Sequence, residues 1–286
     1  MPWTVLVIGV LAASGSAILI RYADGAHPLA ISFWRCALGS VALAPFARGG
    51  LRRARAREVK IAALAGTFLA VHFATWIWSV RMTSVAASVL LVSTTPIFVA
   101  LAARWVLDER LKRKGWIGIV VAMGGVAVIA ASAGNEGVSL GGNLLALAGG
   151  AAAAGYALGG RGALKRLDIL EYAVLAYGSA AVLLLIACLV TETDLAGFDS
   201  DTWWAIAGIV IGPQLMGHTL INWSLKDIDT TTVSVTMLAE PVIATTLAFI
   251  LLSETPSAWI YPGGLAILAG IAVVTATRRD PVVISE

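Results

Sequence analysis

Ten apolar runs divide the chain, at roughly 3–21, 28–47, 59–79, 83–106, 115–132, 142–160, 169–190, 203–225, 230–253 and 257–277, each set off from the next by glycine, proline or charge. Runs of about 20 residues match the ~30 Å of bilayer hydrocarbon when they are helical. The period-two alternation of a barrel strand is absent, and a backbone in lipid must satisfy its own polar groups, so each run is predicted to be a transmembrane helix. The expected fold is all-α, a polytopic membrane protein with ten transmembrane helices. Composition agrees: 59% of the 286 residues are hydrophobic and 13% charged, with a mean hydropathy of +0.87, against about 45–50% and about 25% in a soluble domain. The stretches between runs are short, which excludes an extramembrane catalytic domain and puts function inside the membrane.

Charge sets the orientation. Of the 20 Lys and Arg, 16 fall in alternate connections or the tail, after runs two, four, six, eight and ten, among them Arg48 to Lys60, Arg110 to Lys114 and Arg161 to Arg166. By the positive-inside rule both termini are cytoplasmic. The net charge of +3 is then a topology signal, and no nucleic-acid partner is expected. Met1-Pro2-Trp3 lacks a basic signal-peptide region, so the first run reads as a retained helix. Cys36 and Cys188 lie in apolar runs without metal-type spacing and read as small buried hydrophobes.

A shift of 145 residues aligns Trp78-Ser79 with Trp223-Ser224, Pro96 with Pro241, Leu107 with Leu252, Glu109 with Glu254, Gly118 with Gly263 and Gly125 with Gly270, without a gap across 48 residues. The expected domains are 1–136 and 137–286, two five-helix units. An odd number of spans makes the second unit cross the membrane in the opposite sense, and such inverted repeats place a substrate site near the midplane between the halves.

Thr95 to Ala100 running on to Asp108-Glu109-Arg110-Leu111, its partner Glu240 to Ala244 running on to Ser253-Glu254, and Phe33-Trp34-Arg35 in the second run resemble the paired motifs of the EamA family in the drug/metabolite transporter superfamily. Length and tryptophan-rich helices look most like its YddG-type aromatic amino acid exporters. The resemblance implies a ten-helix, five-plus-five inverted-repeat exporter in the bacterial inner (plasma) membrane, its cavity lined by helices 1, 3, 4, 6, 8 and 9.

Polar residues inside spans are costly and therefore informative. Pro96 and Pro241 each remove an N–H in mid-helix and predict repeat-related kinks, read either as hinges freeing a carbonyl toward a cavity or as static kinks satisfied by Thr94 or Thr95. Glu240 is the one acidic residue deep in a run and shares a helical face with Thr232 and Thr236; Thr95 is its counterpart in the first half. It reads as a cavity group or as a structural hydrogen bond. Helix 8 carries Gln214, His218 and Asn222 at four-residue spacing beside Gly212-Pro213, with Pro213 a third kink, and helix 3 answers with Phe68, His72, Thr75, Trp76 and Ser79. The two histidines are cavity groups or packing residues, and no carboxylate or cysteine cluster makes them a metal site. Trp76 and Tyr156 are the candidates for stacking on a substrate, Ser14 and Ser16 complete the wall, and Trp78 and Trp223 belong to interfacial belts. Arg35 reads as an ion-pairing or snorkelling residue, and Glu109 and Glu254 as caps or gate-side groups. Gly155 and Gly159 permit close helix contact, and the glycine-rich helices 5 and 10 offer packing or homodimer contacts.

The partners expected are a small-molecule substrate and the lipid bilayer, with no cofactor. A secondary transporter of neutral, in particular aromatic, amino acids is the leading reading, and a broad exporter of cationic drugs, with Glu240 as counter-charge, is its rival. An intramembrane enzyme lacks an H-E-x-x-H or comparable set, and a packing scaffold does not explain the polar stripe and kinks.

Overall fold

The computed structural model describes residues 1–52, 54–83, 85–108, 110–132, 139–243, 246–247 and 258–277. Among these there is no strand. The helices are α1 (Pro2–Ala13), α2 (Ser16–Tyr22), α3 (Pro28–Leu51), α4 (Ala56–Met82), α5 (Val85–Val92), α6 (Thr95–Val106), α7 (Arg113–Ser132), α8 (Leu140–Ala163), α9 (Ile169–Val190), α10 (Ser200–Ile209), α11 (Thr219–Ser224), α12 (Thr230–Thr236) and α13 (Ile260–Ala276). Six stretches among the described residues are long and apolar enough to cross a bilayer: Pro2–Tyr22, Pro28–Leu51, Ala56–Met82, Ser88–Val106, Ile169–Val190 and Ser200–Ser224. Tyr261–Ala276 is a shorter apolar helix. Glu109, Glu254, Ser253, Ala244, Arg278 and Arg279, singled out in the sequence, lie outside the described residues.

Polar side chains start the helices where the chain leaves the apolar region. Asp199 accepts from the Thr202 N–H at 2.7 Å, Asp229 from the Thr232 N–H at 2.8 Å and Ser139 from the Gly142 N–H at 3.3 Å, each satisfying one orphan donor of a first turn. Glu58 and Glu171 reach back to the N–H of Arg55 and Asp168, the third-position half of a capping box.

Four of the predicted spans are interrupted. The first breaks at Ser14-Gly15 between α1 and α2, and the fourth at Ser93-Thr94 between α5 and α6, where Pro96 falls in the first turn of α6 and needs no N–H partner. The ninth passes from α12 into a 3₁₀ turn, Met237–Ala239, before Pro241. The eighth runs from α10 through a π-helical stretch, Val210–His218, into α11, with Pro213 inside it. A proline that cannot donate to the usual carbonyl favours such a register change.

Packing relates the two halves. α4 lies along α8 and α9, α3 along α9, α1 along the π stretch and α11, α6 along α12, and α7 along α13. Displaced by 145 residues, the pair α1–α11 falls on the pair α8–α4. Glycine permits these approaches. A Cβ on Gly159 would sit 2.8 Å from that of Ala65, and one on Gly155 would sit 2.6 Å from the Phe68 ring. Where α7 crosses α13 the contacts are reciprocal: a Cβ on Gly118 would lie 2.8 Å from the Gly270 carbonyl oxygen and one on Gly270 2.5 Å from that of Gly118. Gly125 and Gly263 face each other in the same way. Gly118 and Gly125 of the fifth run and Gly263 and Gly270 of the tenth thus pack against each other within the chain.

The connections gather at two ends. At one, Arg166 pairs with Glu58 at 3.8 Å, Lys226 with Asp168 at 3.2 Å, and Arg161 donates to the carbonyls of Leu225 and Lys226. At the other, Arg81 donates to the carbonyls of Ala23, Asp24 and Ala26, and the Trp34 indole donates to Leu195 O at 2.8 Å. Trp78 is 37% exposed there, its ring edge-on to His27 at 5.3 Å. Burial and the Arg81 charge hold His27 below the ordinary histidine value.

Candidate functional site

The broken helices converge on one cavity of about 140 Å³. Ala13, Ser16 and Ala17 reach it from the break in the first span, Ser93, Thr95 and Pro96 from the break in the fourth, and His218, Ile221 and Asn222 from the end of the π stretch. Met237, Leu238, Glu240 and Pro241 come from the 3₁₀ turn and the residues after it. α4 contributes His72 and Trp76 and α8 contributes Tyr156, with Ala153 and Ala157 beside it. Irregular backbone at membrane depth is tolerated where it lines such a space.

The wall is aromatic on one side. His72 and Trp76, one helical turn apart, lie parallel with centroids 5.8 Å apart, and a nitrogen of His72 is 2.9 Å from Gly149 O. Tyr156 sits 6.1 Å from His218, and Phe73, just behind the wall, meets His218 edge-on at 5.2 Å. Asn222 Nδ2 donates to the Tyr156 hydroxyl and to the backbone carbonyl of His218, each at 2.6 Å, which ties the tyrosine to the end of the π stretch. The Trp76 indole N–H and the Ser16 hydroxyl are buried with no hydrogen-bond partner among the described residues. Glu240, also on the wall, is half-buried, with no ion-pair partner among the described residues.

The carbonyls released by the prolines are satisfied locally. Thr95 Oγ1 donates to Val92 O at 2.7 Å and to Gly150 O at 3.1 Å, and Met237 O accepts from the Glu240 N–H. These interruptions leave side chains, rather than free carbonyls, facing the cavity at Val92 and Met237.

Of the residues singled out in the sequence, the structure brings His72, Trp76, Thr95, Tyr156, His218, Asn222 and Glu240 to the cavity with Ser16, Pro96 and Pro241. Thr75 turns back onto Val71 O at 2.7 Å, and Thr236 onto Thr232 O at 2.8 Å. Ser79 Oγ bonds Ser88 Oγ at 2.6 Å and ties α4 to α5, while Ser14 bonds Val10 O at 2.7 Å. Gln214 leaves the His218–Asn222 face because the π stretch pairs i with i+5 and rotates the helix between them; its Oε1 instead accepts from Arg35 Nε at 2.9 Å. Pro213 is buried in that stretch. Arg35 neither snorkels nor forms an ion pair among the described residues; it is fully buried with its guanidinium 3.7 Å above the centre of the Phe73 ring. The rest of the lining, including Val89, Val92, Ala153, Ile221, Leu225, Val233 and Leu238, is apolar and carries no sequence signal separating a cavity wall from a lipid-facing one.

A helical membrane protein whose interrupted helices enclose a polar and aromatic cavity has the architecture expected of a transporter. Comparison with known proteins gives the family: the model of the EamA-like transporter family matches residues 2–131 and again residues 140–276, and the chain belongs to that family. It is therefore a transporter, not an enzyme. Among its relatives is a protein of Streptantibioticus cattleyicolor named "Probable terminal-alkyne amino-acid exporter", 27% identical over 278 residues, covering 95% of this chain and 92% of that one. Another is the Bacillus subtilis "Uncharacterized transporter YwfM", 24% identical over 228 residues, covering 76% of this chain and 73% of that one. A protein of known crystal structure shares the fold, with a TM-score of 0.80 at 21% identity over 96% of both chains.

Proposed function

We propose that the protein is a secondary exporter of neutral amino acids, aromatic ones above all, with ten membrane spans in two inverted five-helix halves, residues 1–136 and 137–286, that open the cavity to one side at a time. The twofold family match, the 145-residue offset and the reciprocal glycine crossing of α7 and α13 support the inverted repeat. The observation that carries the substrate reading is the cavity wall itself, which the flat rings of Trp76 and Tyr156 share with Glu240. An ammonium group takes the carboxylate as counter-charge, and a flat side chain gains stacking worth ~0.5–1.5 kcal/mol beyond area burial. Among the described residues the wall presents no lysine or arginine, which disfavours phosphorylated substrates. The name of the Streptantibioticus relative points to the same class. Four interruptions at the cavity supply the places where halves can rock.

Purified protein in liposomes loaded with labelled tryptophan tests this. Release above empty liposomes, competed by phenylalanine and reduced at least tenfold by Glu240→Gln, is the expected outcome; background release with and without a pH gradient overturns it. Glu240, the single carboxylate among the described residues of the wall, favours a second reading, export of cationic drugs, which predicts that an aromatic cation without a carboxylate is released as well as tryptophan.

A further inference from the structure

Behind the aromatic wall, α3 and the π stretch of the eighth span enclose a second polar locus. Arg35 and Gln214 are both fully buried, and Arg35 Nε donates to Gln214 Oε1 at 2.9 Å. The acceptors here are used: Gln214 Oε1 by Arg35, and Gln214 O by the hydroxyl of Thr219 at 3.3 Å and that of Tyr177 at 3.5 Å. The donors are left over. Arg35 Nη1, Arg35 Nη2 and Gln214 Nε2 have no hydrogen-bond partner among the described residues. Two guanidinium nitrogens of a fully buried cation are thus without hydrogen bonds among the described residues, and the guanidinium is a planar fork suited to two oxygens of one carboxylate.

Three unused donors beside a fixed positive charge call for a ligand that only accepts. A neutral acceptor would satisfy the donors alone, whereas an anion would satisfy them and compensate the buried charge as well. The surroundings favour a small one: the Phe73 ring covers one face of the guanidinium at 3.7 Å, and Gly39 lies so close that a Cβ there would be 3.0 Å from Gln214 Cγ. One layer of rings separates the locus from the cavity: Phe73, which covers the guanidinium, meets the cavity residue His218 edge-on at 5.2 Å.

We infer that Arg35 and Gln214 form a buried receiving site for a small anion, a carboxylate or a halide, immediately behind the Phe73–His218 wall of the cavity. The anion can be free in solution or can be the carboxylate end of a transported amino acid. The second source rests on the amino-acid reading above, and the first does not.

The test is the melting temperature of the purified protein in lipid nanodiscs at constant ionic strength, with sodium gluconate exchanged for chloride or formate. A saturable rise of about 2–5 °C is expected for the native chain. Gln214→Glu puts a carboxylate beside the fork from within the chain, so it should melt in gluconate as high as the native protein does in formate and lose the anion response. Arg35→Gln should lose the response as well. In gluconate, stabilisation by tryptophan but not by tryptamine, with chloride competing, assigns the site to the substrate's carboxylate; chloride and tryptophan adding independently assigns it to a free anion. No response of the native chain to chloride, formate or tryptophan, or an equal response in Gln214→Glu, overturns the inference and leaves water as the partner of the three donors. Because chloride and formate are read without any transport, failure here is separable from failure of tryptophan release.

Discussion

On the proposed amino-acid reading, Trp76 is the residue on which side-chain selection would turn. It stacks on His72, lines the cavity and keeps its indole N–H unpaired among the described residues, so a ring entering the cavity meets both a face and a donor. Trp76→Leu preserves apolar bulk and removes both. It is expected to raise the KM for tryptophan about two- to tenfold, the equivalent of ~0.5–1.5 kcal/mol of stacking, while leaving an aliphatic amino acid nearly unaffected; an equal effect on both substrates would show that the ring only packs. Such residues were readable from sequence because a polar or aromatic group in a span stands out against leucine and alanine. Gln214 was not readable in the same way. Its spacing from His218 and Asn222 is that of an α-helix, and the rotation that sends it to Arg35 arises from the π stretch around Pro213. Arg35 carried the right signal, a charge in mid-span, but its partners, Gln214 and Phe73, lie 179 and 38 positions away and no local pattern names them.

At the scale of elements, the interruptions decide what the cavity is. Prolines announced three of the four; the first-span break at Ser14-Gly15 has only small residues to mark it. The helix crossings are decided by glycine, and the α7–α13 crossing is the most demanding because backbone meets backbone. Gly270→Ala would bring a Cβ to 2.5 Å from Gly118 O, and neither carbonyl nor helix can yield freely, so a loss of about 1–3 kcal/mol is expected. Gly124, one residue from the crossing, has nothing within 4 Å of such a Cβ. Gly124→Ala is therefore the control, and a melting temperature equally lowered by both substitutions would refute the crossing. Outside the membrane, Asp199 caps α10, and the hydrogen bond from the Thr202 N–H at 2.7 Å holds its carboxyl below the ordinary value of 3.8. A depressed acid stabilises the fold above the unfolded value and loses that contribution as pH falls through the folded one. Asp199→Asn keeps an acceptor and cannot titrate, so it should remove this part of the acid sensitivity below pH 3.8, read as a flatter dependence of the melting temperature on pH.

For the whole molecule, charge and contact agree on two distinct ends. Arg161, Arg166 and Lys226 join three connections at one end, while Arg81, His27 and the 191–198 segment meet at the other. The distribution of lysine and arginine was legible at once, because it needs only counting, whereas the pairing of α1 with α11 and of α4 with α8 needed coordinates. If the basic end faces the cytoplasm, an introduced cysteine reports it directly, since both natural cysteines are buried and unpaired. Arg57 and Asp194 are exposed, at the basic end and at the opposite one. In intact spheroplasts a membrane-impermeant maleimide should label Asp194→Cys and leave Arg57→Cys unlabelled until the membrane is opened. The reverse pattern would invert the orientation and, with it, the side on which export begins. Labelling of both positions from outside would be worse for the reading: the two ends would share one side of the membrane, the spans between them would not alternate as the charge pattern requires, and the inverted relation of the halves, on which alternating access depends, would fall with them.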